Sequence, residues 1–146
     1  MIERSLIVLT LALVVVVAVI AVRAWSGRRV AGLKAGVAGG LWNALGESPD
    51  GRPSLIVFST PSCTACRTAQ HPAVEVVEAR FGETLRVLEV DLSQRPAVGH
   101  AFKVLTAPST VVLGGDGRVG SFNHGFAPAD QLAAQVSAVA APASSR

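Results

Sequence analysis

The sequence predicts an α/β domain behind one apolar N-terminal segment, and three observations carry that prediction. From Pro53 to about Val139 the pattern runs strand, helix, strand, helix, strand, strand, helix. The first of those strands, Leu55-Ile56-Val57-Phe58, is continuously apolar, as a strand covered on both faces must be. Ahead of the domain, Leu6 to Val22 is apolar except for Thr10, long enough for a transmembrane helix, which needs roughly 17–25 residues.

In chain order, residues 1–25 read as a transmembrane anchor. A cleaved signal peptide is the rival, but Val22-Arg23-Ala24 fits a small-x-small cleavage site poorly. Residues 26–46 form a Gly/Ala-rich linker in which Leu33, Leu41, Trp42 and Leu45 have partial helical spacing. The domain occupies 47–139, entered through the turn Ser48-Pro49-Asp50-Gly51-Arg52-Pro53. After the first strand a helix runs from about Cys63 to Phe81, with Val74, Val77 and Phe81 on one face and a kink expected at Pro72. Leu85–Asp91 alternates as a second strand, and Pro96–Phe102 is a short helix. Thr110–Leu113 and Arg118–Phe122 make a hairpin through Gly114-Gly115-Asp116-Gly117. Pro128–Val139 is the closing helix, with Leu132, Val136 and Val139 on one side. Residues 140–146 read as a disordered tail of Ala, Ser and Pro.

The chemistry sits where the first strand meets its helix. Cys63 and Cys66 are the protein's only two cysteines, so neither is left over for a separate structural disulfide. A helix start presents unpaired N–H groups and the positive end of its dipole, which favour a thiolate. Cys63 is therefore the expected nucleophile, and Cys66, one turn on and more enclosed, the resolving thiol. No cofactor is needed, because the electrons reside on the two sulfurs.

The formal charge of +3 is unevenly distributed. Arg4, Arg23, Arg28, Arg29 and Lys34 flank the apolar run against Glu3 alone, while from Ala35 onward 8 basic residues meet 9 acidic ones. The domain thus has no basic face for nucleic acid. By the positive-inside rule the cluster after the span favours a cytoplasmic domain on a single-pass membrane protein.

These residues resemble the thioredoxin superfamily, and the likeness extends from Pro53 to about Val139. It rests on the element order, on the Cys-x-x-Cys pair, on Val104-Leu105-Thr106-Ala107-Pro108-Ser109-Thr110 and on Gly125. The resemblance implies a thioredoxin-like fold, a central mixed β-sheet flanked by helices, with a cis bond at Ala107-Pro108. It implies a substrate groove shaped by Ala107, Pro108 and Gly125, in which the backbone of Ala107 pairs with an extended segment. It also implies protein thiols or disulfides as substrates and an electron donor or acceptor to recharge the pair. Many membrane-anchored relatives are extracytoplasmic, against the charge argument. No first strand is visible before the first helix.

The departures from thioredoxin itself are specific. Ser62 stands where thioredoxin has an aromatic residue, Thr64-Ala65 replaces Gly-Pro, Val57 replaces a buried strand acid, and Glu89 replaces a lysine. A housekeeping role is thereby disfavoured, and Ser59-Thr60-Pro61-Ser62-Cys63 is similar to membrane-anchored reductases dedicated to methylamine dehydrogenase or cytochrome maturation. Glu89 is either a substitute acid or a surface charge. Arg67 either holds the thiolate or is a solvated helix charge. His71, His100 and His124 lack tight ligand spacing to the cysteines and read as surface histidines, so no metal site is expected. The overall reading is a protein-disulfide reductase. The alternatives are a disulfide oxidase or isomerase, or a copper-binding or redox-sensing membrane module without turnover.

Overall fold

The computed structural model describes residues 14–19 and 38–140. The chain divides into two units, Met1–Ala35 and Gly36–Arg146. In the first, residues 14–19 are helical with exposed valines. Among the described residues no helix is long and apolar enough to cross a membrane. The expected span Leu6–Val22 extends past residues 14–19 on both sides, so that span, most of the linker and residues 141–146 of the tail lie outside the described residues.

The second unit begins with α1 (Ala38–Leu45) and β1 (Ser54–Ser59). A π-helical turn, Cys66–Gln70, runs directly into α2 (His71–Phe81), followed by β2 (Arg86–Asp91) and α3 (Pro96–Phe102). β3 (Ser109–Leu113), β4 (Val119–His124) and α4 (Ala129–Ala140) complete it. The four strands form one mixed sheet in the order β2-β1-β3-β4. β1 pairs parallel with β2 and antiparallel with β3, and β3 pairs antiparallel with β4.

β1 is apolar throughout because it has two interior faces. Successive side chains of a strand point to opposite sides. Leu55 and Val57 pack with Val74 and Val77 of α2 and with Leu132 and Val136 of α4. Ile56 and Phe58 pack on the other side with Leu41 and Trp42 of α1 and with Val98 and Phe102 of α3. Each of these four strand residues is almost wholly buried, and each such burial contributes about 1.5–3 kcal/mol.

α1 belongs to this core, since Leu41, Trp42 and Leu45 are buried in it. Its end is closed twice. Gly46 takes a positive φ of 73°, the usual helix stop. Arg95 Nη2 donates to the carbonyls of Ala44 at 3.3 Å and Leu45 at 2.6 Å, placing a cation at the negative dipole end.

Near His71, where the sequence predicts a kink, the helix has a wide turn ahead of Pro72, with the His71 N–H donating to the Cys66 carbonyl five residues back. Proline lacks an N–H and its ring clashes with the carbonyl four residues earlier. One wide turn opens that spacing and lets the helix continue. Other boundaries shift by one or two residues: Ala140, read as tail, is the last residue of α4, and β4 extends to His124 because Ser109 and His124 are register partners.

The turn before β1 lies against the β3–β4 hairpin. A Cβ on Gly115 would meet the Gly51 carbonyl oxygen at 2.1 Å, whereas one on Gly39 in α1 meets nothing within 4 Å. Gly115→Ala is therefore expected to destabilise the domain by about 1–3 kcal/mol. Gly39→Ala is expected to be neutral or to stabilise by up to about 1 kcal/mol. Urea denaturation of the two variants beside the parent chain measures both effects.

Candidate active site

β1 ends at Ser59, and residues 60–62 turn the chain toward the helix. The Cys63 N–H donates to the Thr60 carbonyl at 3.0 Å, closing that turn. Arg67 Nη1 donates to the Pro61 carbonyl at 2.6 Å, so the guanidinium braces the segment that presents the cysteines. Helix begins at Thr64, which puts Cys63 in the N-cap position. Its Sγ accepts the Cys66 N–H at 3.1 Å, as an N-cap side chain accepts an otherwise unpaired donor of the first turn.

Cys63 and Cys66 are joined in a disulfide, with Cα atoms 5.3 Å apart. The two sulfurs are inequivalent in access. Cys63 is half-buried, whereas Cys66 is only 1% exposed. A thiol approaching this disulfide therefore reaches the first sulfur and not the second.

The 104–108 loop and Gly125 come to the same end of the sheet. Ser109 pairs with Phe58 on one side and with His124 on the other, so the start of β3 lies beside the end of β1 and the end of β4. Ala107-Pro108 is cis. The Pro108 carbonyl accepts the Gly125 N–H at 2.9 Å, and Gly125 has a φ of 82°, favourable for glycine. Leu105 and Phe126 flank these residues as exposed apolar side chains.

A clamp absent from the sequence reading ties the two halves together. Gln70 is fully buried. Its Nε2 donates to the Ala127 carbonyl at 3.1 Å, and its Oε1 accepts the Ala127 N–H at 3.0 Å. The helix that carries the cysteines is thus fixed to the segment after Gly125. A polar residue at a core-facing helical position was the available signal, and it names no partner 57 residues away.

Behind Cys66 is a cleft of about 420 Å³, with Arg67, His71, Glu89 and Asp91 in its walls. A larger cavity of about 490 Å³ lies between the β3–β4 turn and the end of α4, and no cysteine or histidine lines it. Val57 is buried in the core. Its register partner Glu89 has a side chain 59% exposed, with Oε1 3.8 Å from His71 Nε2. Hydrogen bonds from the Ser93 hydroxyl and N–H, and from Gln94, hold the Asp91 carboxyl below its ordinary value. His100 and His124 are exposed, the latter against the Phe122 ring. Among the described residues, no three His, Cys, Asp or Glu side chains gather as a metal site.

Replacing Gln70 by Leu leaves the buried N–H and carbonyl of Ala127 without partners, each costing about 1–3 kcal/mol. The expected loss is about 2–5 kcal/mol in urea denaturation, with Gln70→Glu retaining part of the clamp through the Ala127 N–H.

The Thioredoxin family model matches residues 46–138. None of the curated proteins matches the sequence. Among solved structures, the chain is similar to chloroplastic thioredoxin z, at 19% identity and a TM-score of 0.57, covering 64% of this chain and 82% of that one. It is similar to Fasciola hepatica thioredoxin at 21% identity and TM-score 0.54, over 68% and 88% of the two chains. MTB dsbF, solved in mixed oxidised and reduced forms, aligns at 20% identity and TM-score 0.52, over 61% and 81%. At these identities the structural likenesses establish the fold.

Proposed function

The chain belongs to the thioredoxin family, and from that premise we propose that it is a thiol–disulfide oxidoreductase that reduces protein disulfides. The observation that carries the reading is the asymmetry of the pair: Cys63 is half-buried at a helix start with its sulfur accepting the Cys66 amide, and Cys66 is buried behind it. In the reducing direction the Cys63 thiolate attacks a substrate disulfide. One substrate sulfur leaves as a thiol while the other is held on Cys63. Cys66 then attacks Cys63, closes the Cys63–Cys66 bond and releases the second substrate thiol. An external dithiol or reductase returns the two electrons. Ala107, Pro108 and Gly125 shape the groove for the extended substrate segment.

The proposal includes attachment to a membrane through residues 1–25. The unbroken apolar run Leu6–Val22 supports it, and the cations Arg23, Arg28, Arg29 and Lys34 after the run support a cytoplasmic domain.

The test uses the full chain, reduction of insulin disulfides, and a chemical dithiol as electron donor. Cys63→Ser is expected to abolish turnover and to trap no substrate. Cys66→Ser is expected to accumulate mixed disulfides on Cys63. Trapping by neither variant sinks the enzyme reading. A reduction potential below about −220 mV supports the reductase direction, and one near −120 mV makes the protein an oxidase.

Location is read separately with a membrane-impermeant thiol reagent, since the chain has 2 cysteines and both are in the site. Labelling of reduced protein only after lysis is expected. Labelling in intact cells reverses the orientation, and recovery of the whole chain in the soluble fraction removes the anchor.

A further inference from the structure

The cleft behind Cys66 contains a group that the reaction above leaves unused. His71 Nε2 is buried and has no hydrogen-bond partner among the described residues, although the side chain as a whole is 35% exposed. Leaving a buried ring nitrogen unpaired costs free energy, so a state of the protein that supplies a partner is favoured. The cleft wall it shares with Cys66 indicates which state that is. In the disulfide, Cys66 has no proton to donate. In the dithiol it has an S–H.

The helix geometry makes this juxtaposition. In an α-helix, residues five apart point about 140° away from each other. The turn Cys66–Gln70 is wide, and the His71 N–H bonds the Cys66 carbonyl five residues back. Position 71 is thereby brought round toward position 66, and both residues line one cleft. Such wide turns are found frequently at functional sites.

The remaining charged groups around the cleft have other engagements or stand off. Asp91 accepts hydrogen bonds from Ser93 and Gln94. Arg67 is bonded to the Pro61 carbonyl. Glu89 faces His71 Nε2 at 3.8 Å, too long for a hydrogen bond but close enough to oppose the charge of a protonated ring. From β1 and the turn after it the lining residues are Ser59, Thr60 and Pro61, none titratable. The side chain of Val57, where thioredoxin's acid would be, offers no oxygen.

We propose that His71, faced by Glu89, is the proton acceptor for the Cys66 thiol. The proposal rests on the thiol–disulfide reading and adds a step to it. In the mixed disulfide, the Cys66 S–H proton passes to His71 Nε2. The Cys66 thiolate attacks Cys63 Sγ, the Cys63–Cys66 bond forms, and the Cys63–substrate bond breaks. The electron pair leaves on the substrate sulfur, which takes a proton from the imidazolium or from water. In the reverse direction the same ring protonates Cys66 as it departs.

The experiment is rapid-quench oxidation of the reduced full chain by glutathione disulfide, with the Cys63–glutathione adduct counted by mass spectrometry from pH 6 to 8. Adduct formation reports Cys63, and adduct decay reports Cys66. In the parent chain decay is expected to rise less steeply with pH than the free thiolate fraction does. In His71→Ala, decay at pH 7 is expected to fall on the order of a hundredfold, with formation within about twofold of the parent. Its decay should then rise about tenfold per pH unit, following the thiolate fraction of a buried thiol that stays mostly protonated over this range. Added imidazole should restore decay, because the cleft then has room for the ring. Glu89→Gln, a change at an exposed side chain, should slow decay without affecting formation.

Equal decay rates and pH slopes in parent and His71→Ala overturn the proposal. So does a loss that imidazole leaves unrescued while Glu89→Gln decays like the parent, which identifies a structural effect. Absence of any adduct in the parent chain refutes the thiol–disulfide reading itself, a separate result.

Discussion

The structure depends on one strand having no solvent face. β1 packs Leu55 and Val57 against α2 and α4, and Ile56 and Phe58 against α1 and α3. β2 and β3 hydrogen-bond its two edges. A strand held on four sides has a fixed end, and the chain leaves that end directly into the turn that presents Cys63. The cysteines therefore inherit their position from the core. Position 57 is a valine inside this core, and its side chain brings no charge to the end of the strand.

Around that fixed end, polar contacts supply the precision that apolar packing lacks. Hydrophobic burial is non-directional, whereas the Cys66 amide on Cys63 Sγ, the Arg67 bond to Pro61 and the two-point clamp of Gln70 on Ala127 each fix a direction. A second polar cluster secures β4 to α4: Asn123 bonds Thr110, Gln131 and Gln135. Gly125 is thus held between two anchored neighbours, Asn123 and Ala127, while Leu105 and Phe126 stay outside as apolar rims.

The element order from Pro53 to Val139 was legible because each element has a pure period. β1 is apolar throughout, α4 repeats at helical spacing, and the hairpin turn carries Gly114, Gly115 and Gly117. The boundaries moved where tertiary pairing overrides local preference, as at His124, which lies in β4 because Ser109 is opposite it. The Cys63–Cys66 pairing was legible from the two cysteines, and the cis Ala107-Pro108 peptide through the family resemblance. Gln70 escaped notice because a buried amide looks like any helical glutamine until its partner is known. His71 read as a surface histidine for a related reason: on a regular helix, position 71 does not share a face with position 66.

What the sequence by itself determined is the set of local rules: which segments are strands and helices, where the helix start after β1 falls, and that the two cysteines lie together at it. These follow from periodicity, backbone chemistry and spacing within a few residues. Only the tertiary structure decided which groups meet across long separations. It set the clamp of residue 70 on residue 127, the opposition of Glu89 to His71, and the enclosure of Cys66 with exposure of Cys63. Such contacts depend on how helices seat on a sheet and on a single wide turn ahead of a proline, and no local pattern encodes a distance between segments that meet only when the core closes.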